Sequence, residues 1–362
     1  MLQVIEPVTG VNPIFSVTWE ITLKCNLDCS YCSSHDNTIP HPPLSECLET
    51  IDFIYDYIDL YMKHKNDNHR HVSFNIFGGE GLFHPNIVEI LEYGYNKHKE
   101  KDYNWTLSFS TVTNAIVKEK IWDKLIDYFG YFTVSYHSEA STEDQELFKR
   151  NVLTLKANNK NYNVPILMHP HRWNMCLDMI KWCVDNDVRH LVRQMDDLTP
   201  EEKFAYSDQQ ADWFFNLYGS KPIKIYKKGE RVNLTSQGRG CCGGQAFNFD
   251  RDYSKSYTYV PNNNFKDYHC SVNYFFVFIK QITRQVFNNK DCRLDYDGNK
   301  RSPIGTLDDK HKILSELQYR LENNINYIKC TKSLCWCGLC TPKAKDLDTY
   351  QDVMKTYIKE VV

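Results

Sequence analysis

Residues 25–32 read CNLDCSYC. Its three thiols, Cys25, Cys29 and Cys32, have the spacing C-x3-C-x2-C. Three thiolates can hold three corners of a cubane iron–sulfur cluster and leave the fourth iron open, whereas an electron-carrying cluster is normally closed by a fourth Cys. An open iron is a place for a substrate or cofactor to bind and take an electron. Structural zinc sites use four ligands, commonly paired C-x2-C units. Here there is a single triplet, with His35 as the nearest candidate for a fourth ligand. The spacing therefore favours a cluster at which chemistry is done.

Working outward, strand-like apolar runs alternate with helical ones from about residue 15 to 195. The strands are expected at Phe15–Ile21, Val72–Phe77, Trp105–Thr111, Tyr131–Ser135, Val164–Met168 and Val188–Arg193. One intervening helix carries Leu44, Leu48, Ile51, Tyr55, Ile58 and Met62 at steps of four and three. A second carries Val117, Ile121, Leu125 and Phe129, and a third opens on the capping pair Thr142 and Gln145. A fourth places Cys176, Met179, Ile180, Cys183 and Val184 on one face. Thr199, Pro200 and Glu202 signal a further helix start. Such β–α repeats imply a parallel sheet, closed as a partial (β/α)6 barrel. Active sites of barrels form on the loops after the strands. The cysteine triplet lies in the loop after the first strand. The second strand ends in FGGEG, residues 77–81, where glycines permit close approach to the backbone.

The chain has 362 residues, 42% hydrophobic and 25% charged, with a formal net charge of −3. This is a globular composition, with no overall attraction to nucleic acid. No apolar run reaches about 18 residues, and the start lacks the pattern of a signal peptide, so a cytoplasmic protein with no membrane segment is expected. The 14 cysteines therefore suggest metal binding and not disulfides. Cys47, Cys176 and Cys183 read as core thiols. His169-Pro170-His171-Arg172, after the fifth strand, reads as a solvated loop, with substrate binding or proton donation as the alternative.

Past about residue 220 turn residues become dense. The stretch 271–292, SVNYFFVFIKQITRQVFNNKDC, reads as a β-hairpin between Cys270 and Cys292. A helix with Ile313, Leu314, Leu317 and Leu321 follows. Then come Cys330, Cys335, Cys337 and Cys340, and a final amphipathic helix from Leu347 to Val361. With Cys241 and Cys242, eight cysteines lie after residue 240. They divide the chain into residues 1–220, the barrel, and 221–362, a cysteine-rich α+β extension. A zinc knuckle and one or two further iron–sulfur clusters are both open for this set, with a cluster preferred.

CNLDCSYC followed by Gly78-Gly79-Glu80 resembles the radical S-adenosylmethionine (SAM) superfamily. The resemblance covers roughly residues 15–195. It implies that Cys25, Cys29 and Cys32 ligate a 4Fe–4S cluster whose open iron is chelated by SAM. It further implies that Gly78, Gly79 and Glu80 meet the SAM amino group and that Tyr31 packs on the adenine. Thr113-Asn114 resembles the family's TNG segment near the ribose, with Ala115 in place of its glycine. Ser135 falls where a polar ribose contact is expected, and Arg193 could pair with the SAM carboxylate. The cysteine–hairpin–cysteine pattern resembles SPASM and Twitch extensions, which carry auxiliary clusters. That likeness makes Cys242, Cys270, Cys292, Cys330, Cys335, Cys337 and Cys340 the candidate ligands.

The expected activity is reductive cleavage of SAM to a 5′-deoxyadenosyl radical that abstracts hydrogen, with the cofactor carrying the chemistry. A peptide or protein side chain is the expected substrate, and a flavodoxin or ferredoxin the electron donor. The alternatives are a radical SAM enzyme acting on a nucleoside, RNA or small metabolite, and a non-catalytic zinc protein. The acidic balance disfavours RNA.

Overall fold

The computed structural model describes residues 14–32, 35–64, 71–101, 103–195, 204–218, 269–271, 274, 276–288, 303–325, 327–329, 343–344, 347–348 and 351. Within the first part, strands and helices alternate as the apolar runs require. The order is β1 (Ile14–Thr22), α1 (Leu44–His64), β2 (His71–Gly78), α2 (Ile87–Glu100), β3 (Thr106–Thr113), α3 (Glu119–Leu125), β4 (Phe129–Val134), α4 (Thr142–Ala157), β5 (Tyr162–Met168), α5 (Trp173–Asp185), β6 (His190–Gln194) and α6 (Asp208–Tyr218). The strands β1 to β6 pair in chain order, every pair parallel. This mixed α/β architecture with a parallel sheet is consistent with the expected partial barrel.

The sheet does not stop at β1. The later chain contributes β7 (His269–Ser271), β8 (Phe276–Lys280), β9 (Gln285–Asn288), β10 (Gly305–Thr306), α7 (Lys310–Glu322), β11 (Tyr327–Lys329) and β12 (Lys343–Ala344). β8 and β9 form the expected hairpin, but β8 also pairs parallel with β1, from Ser16↔Phe276 to Glu20↔Lys280. Among the described residues one sheet of nine strands results, ordered β10-β9-β8-β1-β2-β3-β4-β5-β6. β1 is therefore a central strand. Phe15, Val17, Trp19 and Ile21 are buried on one face, and Thr18 and Thr22 on the other. Burying each large apolar side chain contributes roughly 1.5–3 kcal/mol.

α1 is buried more widely than its four-and-three stripe predicts. Phe53, Ile54, Tyr57 and Tyr61 are buried as well, because the helix packs on α7 in addition to the sheet. The Tyr57 hydroxyl donates to Asn288 Oδ1 at 2.9 Å. Gln281, in the hairpin turn, is buried and accepts from Trp19 Nε1 at 2.9 Å and Thr50 Oγ1 at 2.7 Å.

Some local expectations are corrected. Phe129 starts β4 and does not extend α3, because the helix ends at Leu125. The cap of α4 is Ser141, one residue before Thr142; its hydroxyl accepts from the Asp144 amide at 3.1 Å. On α5, Cys176, Met179 and Cys183 are buried, whereas Val184 is exposed. Thr199–Glu202 lie outside the described residues, as do Cys241, Cys242, Cys292, Cys330, Cys335, Cys337 and Cys340. Of the final helix, only 347–348 and 351 are described. Cys270 is a residue of β7, opposite Ile328 on β11 and Lys343 on β12. Among the described residues no helix is long and apolar enough to cross a membrane.

Candidate functional site

The loop after β1 carries the three cysteines at the C-terminal edge of the sheet. Its position depends on the end of β2. A Cβ on Gly78 would lie 2.1 Å from the Thr22 carbonyl oxygen, and one on Gly79 would lie 2.4 Å from that of Leu23 and 2.6 Å from that of Lys24. Only glycine permits this approach. The Gly79 amide then donates to Thr22 O at 2.9 Å and the Glu80 amide to Lys24 O at 2.8 Å. What approaches these glycines so closely is thus the chain itself, in the residues leading to Cys25.

Glu80 is buried. Its carboxylate accepts from Leu82 N at 3.0 Å, Thr113 Oγ1 at 2.9 Å and Asn114 N at 2.7 Å. Burial pushes its carboxyl up to about 7, against the pull of these three bonds. A carboxylate offers about four acceptor positions, so one remains. Asn114 reaches the cysteine loop: its Nδ2 donates to Asn26 Oδ1 at 2.7 Å and lies 3.9 Å from Cys25 Sγ. Asn26 Nδ2 returns a bond to Ile116 O at 2.8 Å. Ala115, where the resembling family has glycine, is buried with φ of 52°. This is a left-handed conformation that alanine adopts only where its surroundings impose it. Asn151 Nδ2 supplies part of that constraint, donating to Ala115 O and Val117 O.

Cys29 is buried, Cys25 half-buried and Cys32 exposed. Leu27, Cys29 and Ala140 form a small apolar cluster, with Cys25 and Tyr31 packed on it. Burial pushes the Cys25 thiol up to about 11 and that of Cys29 up to about 12. A cationic iron core would favour their thiolate forms. Leu27 N donates to Cys25 Sγ at 3.4 Å, the kind of bond to sulfur that tunes a cluster. Among the described residues no three His, Cys, Asp or Glu side chains could hold one metal ion. Three thiols from one loop are the donor set of a cubane, which takes each thiolate on a separate iron.

The Tyr31 hydroxyl lies 2.7 Å from His137 Nδ1, the rings are parallel, and Cys29 Sγ is 3.6 Å from the same nitrogen. The Tyr31 ring also meets His169 and Phe204 edge-on. Burial lowers His137 to about 4 and keeps it neutral. Ser135, just past β4, is half-buried; its amide donates to Thr113 O at 2.8 Å. Arg193 on β6 is half-buried and opposite Leu167 in the sheet. The structure thus brings Glu80 and Asn114 directly to the loop of Cys25.

Beside the loop lies a cavity of about 640 Å³, lined among others by Ser30, Glu139, His169, Arg172, Trp173 and Phe204. The reading of residues 169–172 as a solvated loop holds for His171 and Arg172, which are exposed, but not for His169, which is only 3% exposed, or for buried Pro170. Its Nδ1 accepts from the His171 amide at 3.2 Å, which leaves Nε2 to donate to Glu139 Oε1 at 3.0 Å. Sequence reasoning missed Glu139 and His137 altogether. No local signal marks them, because Glu139 meets Ser30 and His137 meets Tyr31 across more than a hundred residues, and His169 is itself 30 residues from Glu139.

No protein-family model matches the sequence, and no curated protein matches it. Solved structures do. The anaerobic sulfatase-maturating radical SAM enzyme anSMEcpe with bound AdoMet matches at 16% identity and a TM-score of 0.51, over 96% of each chain. Its complexes with AdoMet and the Kp18Cys or Cp18Cys peptide match equally well. At that identity, what the chain shares with these enzymes is the fold, a parallel α/β sheet of the radical SAM partial-barrel kind.

Proposed function

We propose that this chain is a radical SAM enzyme that modifies a peptide or protein side chain. The observation that carries the reading is the placement of Cys25, Cys29 and Cys32. They sit after β1, on the rim where Glu80 and Asn114 converge and beside a cavity of substrate size. In this reading the three thiolates hold a 4Fe–4S cluster, with the glycine turn fixing their loop. Gly78, Gly79 and the remaining acceptor position of Glu80 meet the SAM amino group. Asn114 and Ser135 serve the ribose, Tyr31 the adenine and Arg193 the carboxylate. The cluster and SAM would supply reductive cleavage to a 5′-deoxyadenosyl radical. The protein's part is to position the substrate and keep water out. Support for a peptide comes from the shared fold with anSMEcpe, which binds peptides in its solved complexes.

Residues 221–362 are the proposed auxiliary-cluster region, with ligands drawn from Cys242, Cys270, Cys292, Cys330, Cys335, Cys337 and Cys340. A reduced flavodoxin or ferredoxin is the proposed electron donor. Anaerobically reconstituted protein, given dithionite and SAM, is expected to release 5′-deoxyadenosine. Cys29→Ala is expected to abolish release and Cys183→Ala to retain it; no release from a loaded cluster would sink the assignment. Iron beyond that of one cubane is expected, and a single cluster with stoichiometric zinc would exclude the auxiliary one.

A further inference from the structure

Between the second and third cysteines of the loop stands Ser30, and one carboxylate holds both of its polar groups. Glu139 Oε2 accepts from the Ser30 amide at 2.6 Å, and Oε1 accepts from the Ser30 hydroxyl at 2.6 Å. These are short, charge-assisted bonds. Glu139 follows β4, so the bonds join two elements 109 residues apart. Oε1 also takes the His169 Nε2–H at 3.0 Å, and the His169 side chain is only 4% exposed. His169 is fixed in turn by the His171 amide on its other nitrogen. The carboxylate is thus braced from the β5 side and holds the cysteine loop from the β4 side. Burial pushes its carboxyl up, but the bonds from Ser30 and His169 outweigh this and hold it below the ordinary carboxylate range.

We infer that Glu139 is a positioning residue for the proposed cluster: it fixes Ser30, and with it the spacing of Cys29 and Cys32, and places a permanent negative charge beside the cluster. This rests on the radical SAM reading above. A neighbouring negative charge disfavours the reduced, more negative state of a cluster and so lowers its potential. The loop's own carboxylate, Asp28, cannot do this as well. Its side chain is 93% exposed and paired with His35 at 2.9 Å, so solvent screens it.

The test compares wild type, Glu139→Gln, Ser30→Ala and the exposed control Glu143→Gln after anaerobic reconstitution. The readouts are iron content, the EPR spectrum of the reduced cluster and its midpoint potential. Glu139→Gln is isosteric and removes the charge. It is expected to shift the potential to less negative values and to change the EPR line shape, or to lose iron at unchanged far-UV circular dichroism. Ser30→Ala removes one bond and keeps the charge, so it should change the line shape with a smaller shift in potential. Glu143→Gln should match wild type. Wild-type spectra and potentials in both Glu139→Gln and Ser30→Ala at full iron would overturn the inference. If Glu139→Gln does not fold, Ser30→Ala alone decides, and an unchanged spectrum overturns it. Absence of any iron–sulfur signal in wild type would instead overturn the radical SAM reading.

Discussion

Strand β1 has a parallel neighbour on each side, and the two flanks are held by different means. On the β2 side, the ends of both strands are pressed backbone to backbone at Gly78 and Gly79. Beyond that contact, Asn26, Asn114 and Glu139 tie down the cysteine loop through hydrogen bonds, and Cys32 stays exposed. On the β8 side, a buried glutamine bolts the hairpin to Trp19 and Thr50. Arg284 adds ion pairs to Glu46, Glu49 and Asp308 on either side of the seam. One flank leaves reactive groups accessible on a fixed frame, and the other fills its space with side chains. A site needs the first arrangement, and a sheet extension needs the second.

The largest expected effect breaks the glycine flank. Gly78→Ala places a methyl group against the Thr22 carbonyl, where backbone and not a flexible side chain must move. A loss of about 3 kcal/mol in stability is expected, at the upper end for overpacking. Reconstituted iron should fall with it, because the cysteine loop must move too. Iron content equal to wild type would show that the close approach does not set the loop. Gln281→Ala comes next and acts on the other flank. It leaves the buried Trp19 Nε1 without its acceptor, while Thr50 Oγ1 keeps the Glu46 carbonyl, for a loss of about 1–3 kcal/mol in urea unfolding. Iron per folded chain should stay at the wild-type level, and a drop would erase the distinction between the flanks.

The smallest effect is a pH dependence on the glycine flank. His41 lies 3.0 Å from Thr22 Oγ1, with its ring against those of Phe83 and His84. Burial, then the neighbouring His84 and Lys24, lowers it to about 4. The unfolded chain takes up this proton below about pH 6.5, and the folded chain only near 4. The unfolded state therefore binds more protons across that window, and stability falls as the pH falls through it. His41→Gln should make the fall in urea midpoint between pH 7.5 and pH 5 shallower than in wild type. An equal slope would remove His41 from the balance.

Periodicity made much of the first part legible. The alternation of apolar residues placed six strands within a few residues of their observed ends, because each strand's pattern is local. Boundaries failed where two patterns met. Phe129 continued a helical spacing yet began a strand, and Ser141 was passed over for Thr142, though either side chain can cap. His169 showed the same limit at the site. A histidine beside proline and arginine looks solvated until its carboxylate partner is known.

The sequence by itself marked Cys25, Cys29 and Cys32 as the candidate donor set, because their spacing is a property of one loop. It also determined the parallel pairing of six strands. Tertiary structure alone decided that β8 would border β1, that the glycines would press on residues 22–24, and that Glu139 would grip Ser30. Each of these joins residues far apart in the chain. Such contacts depend on which faces the folded sheet brings together, and no local spacing encodes that.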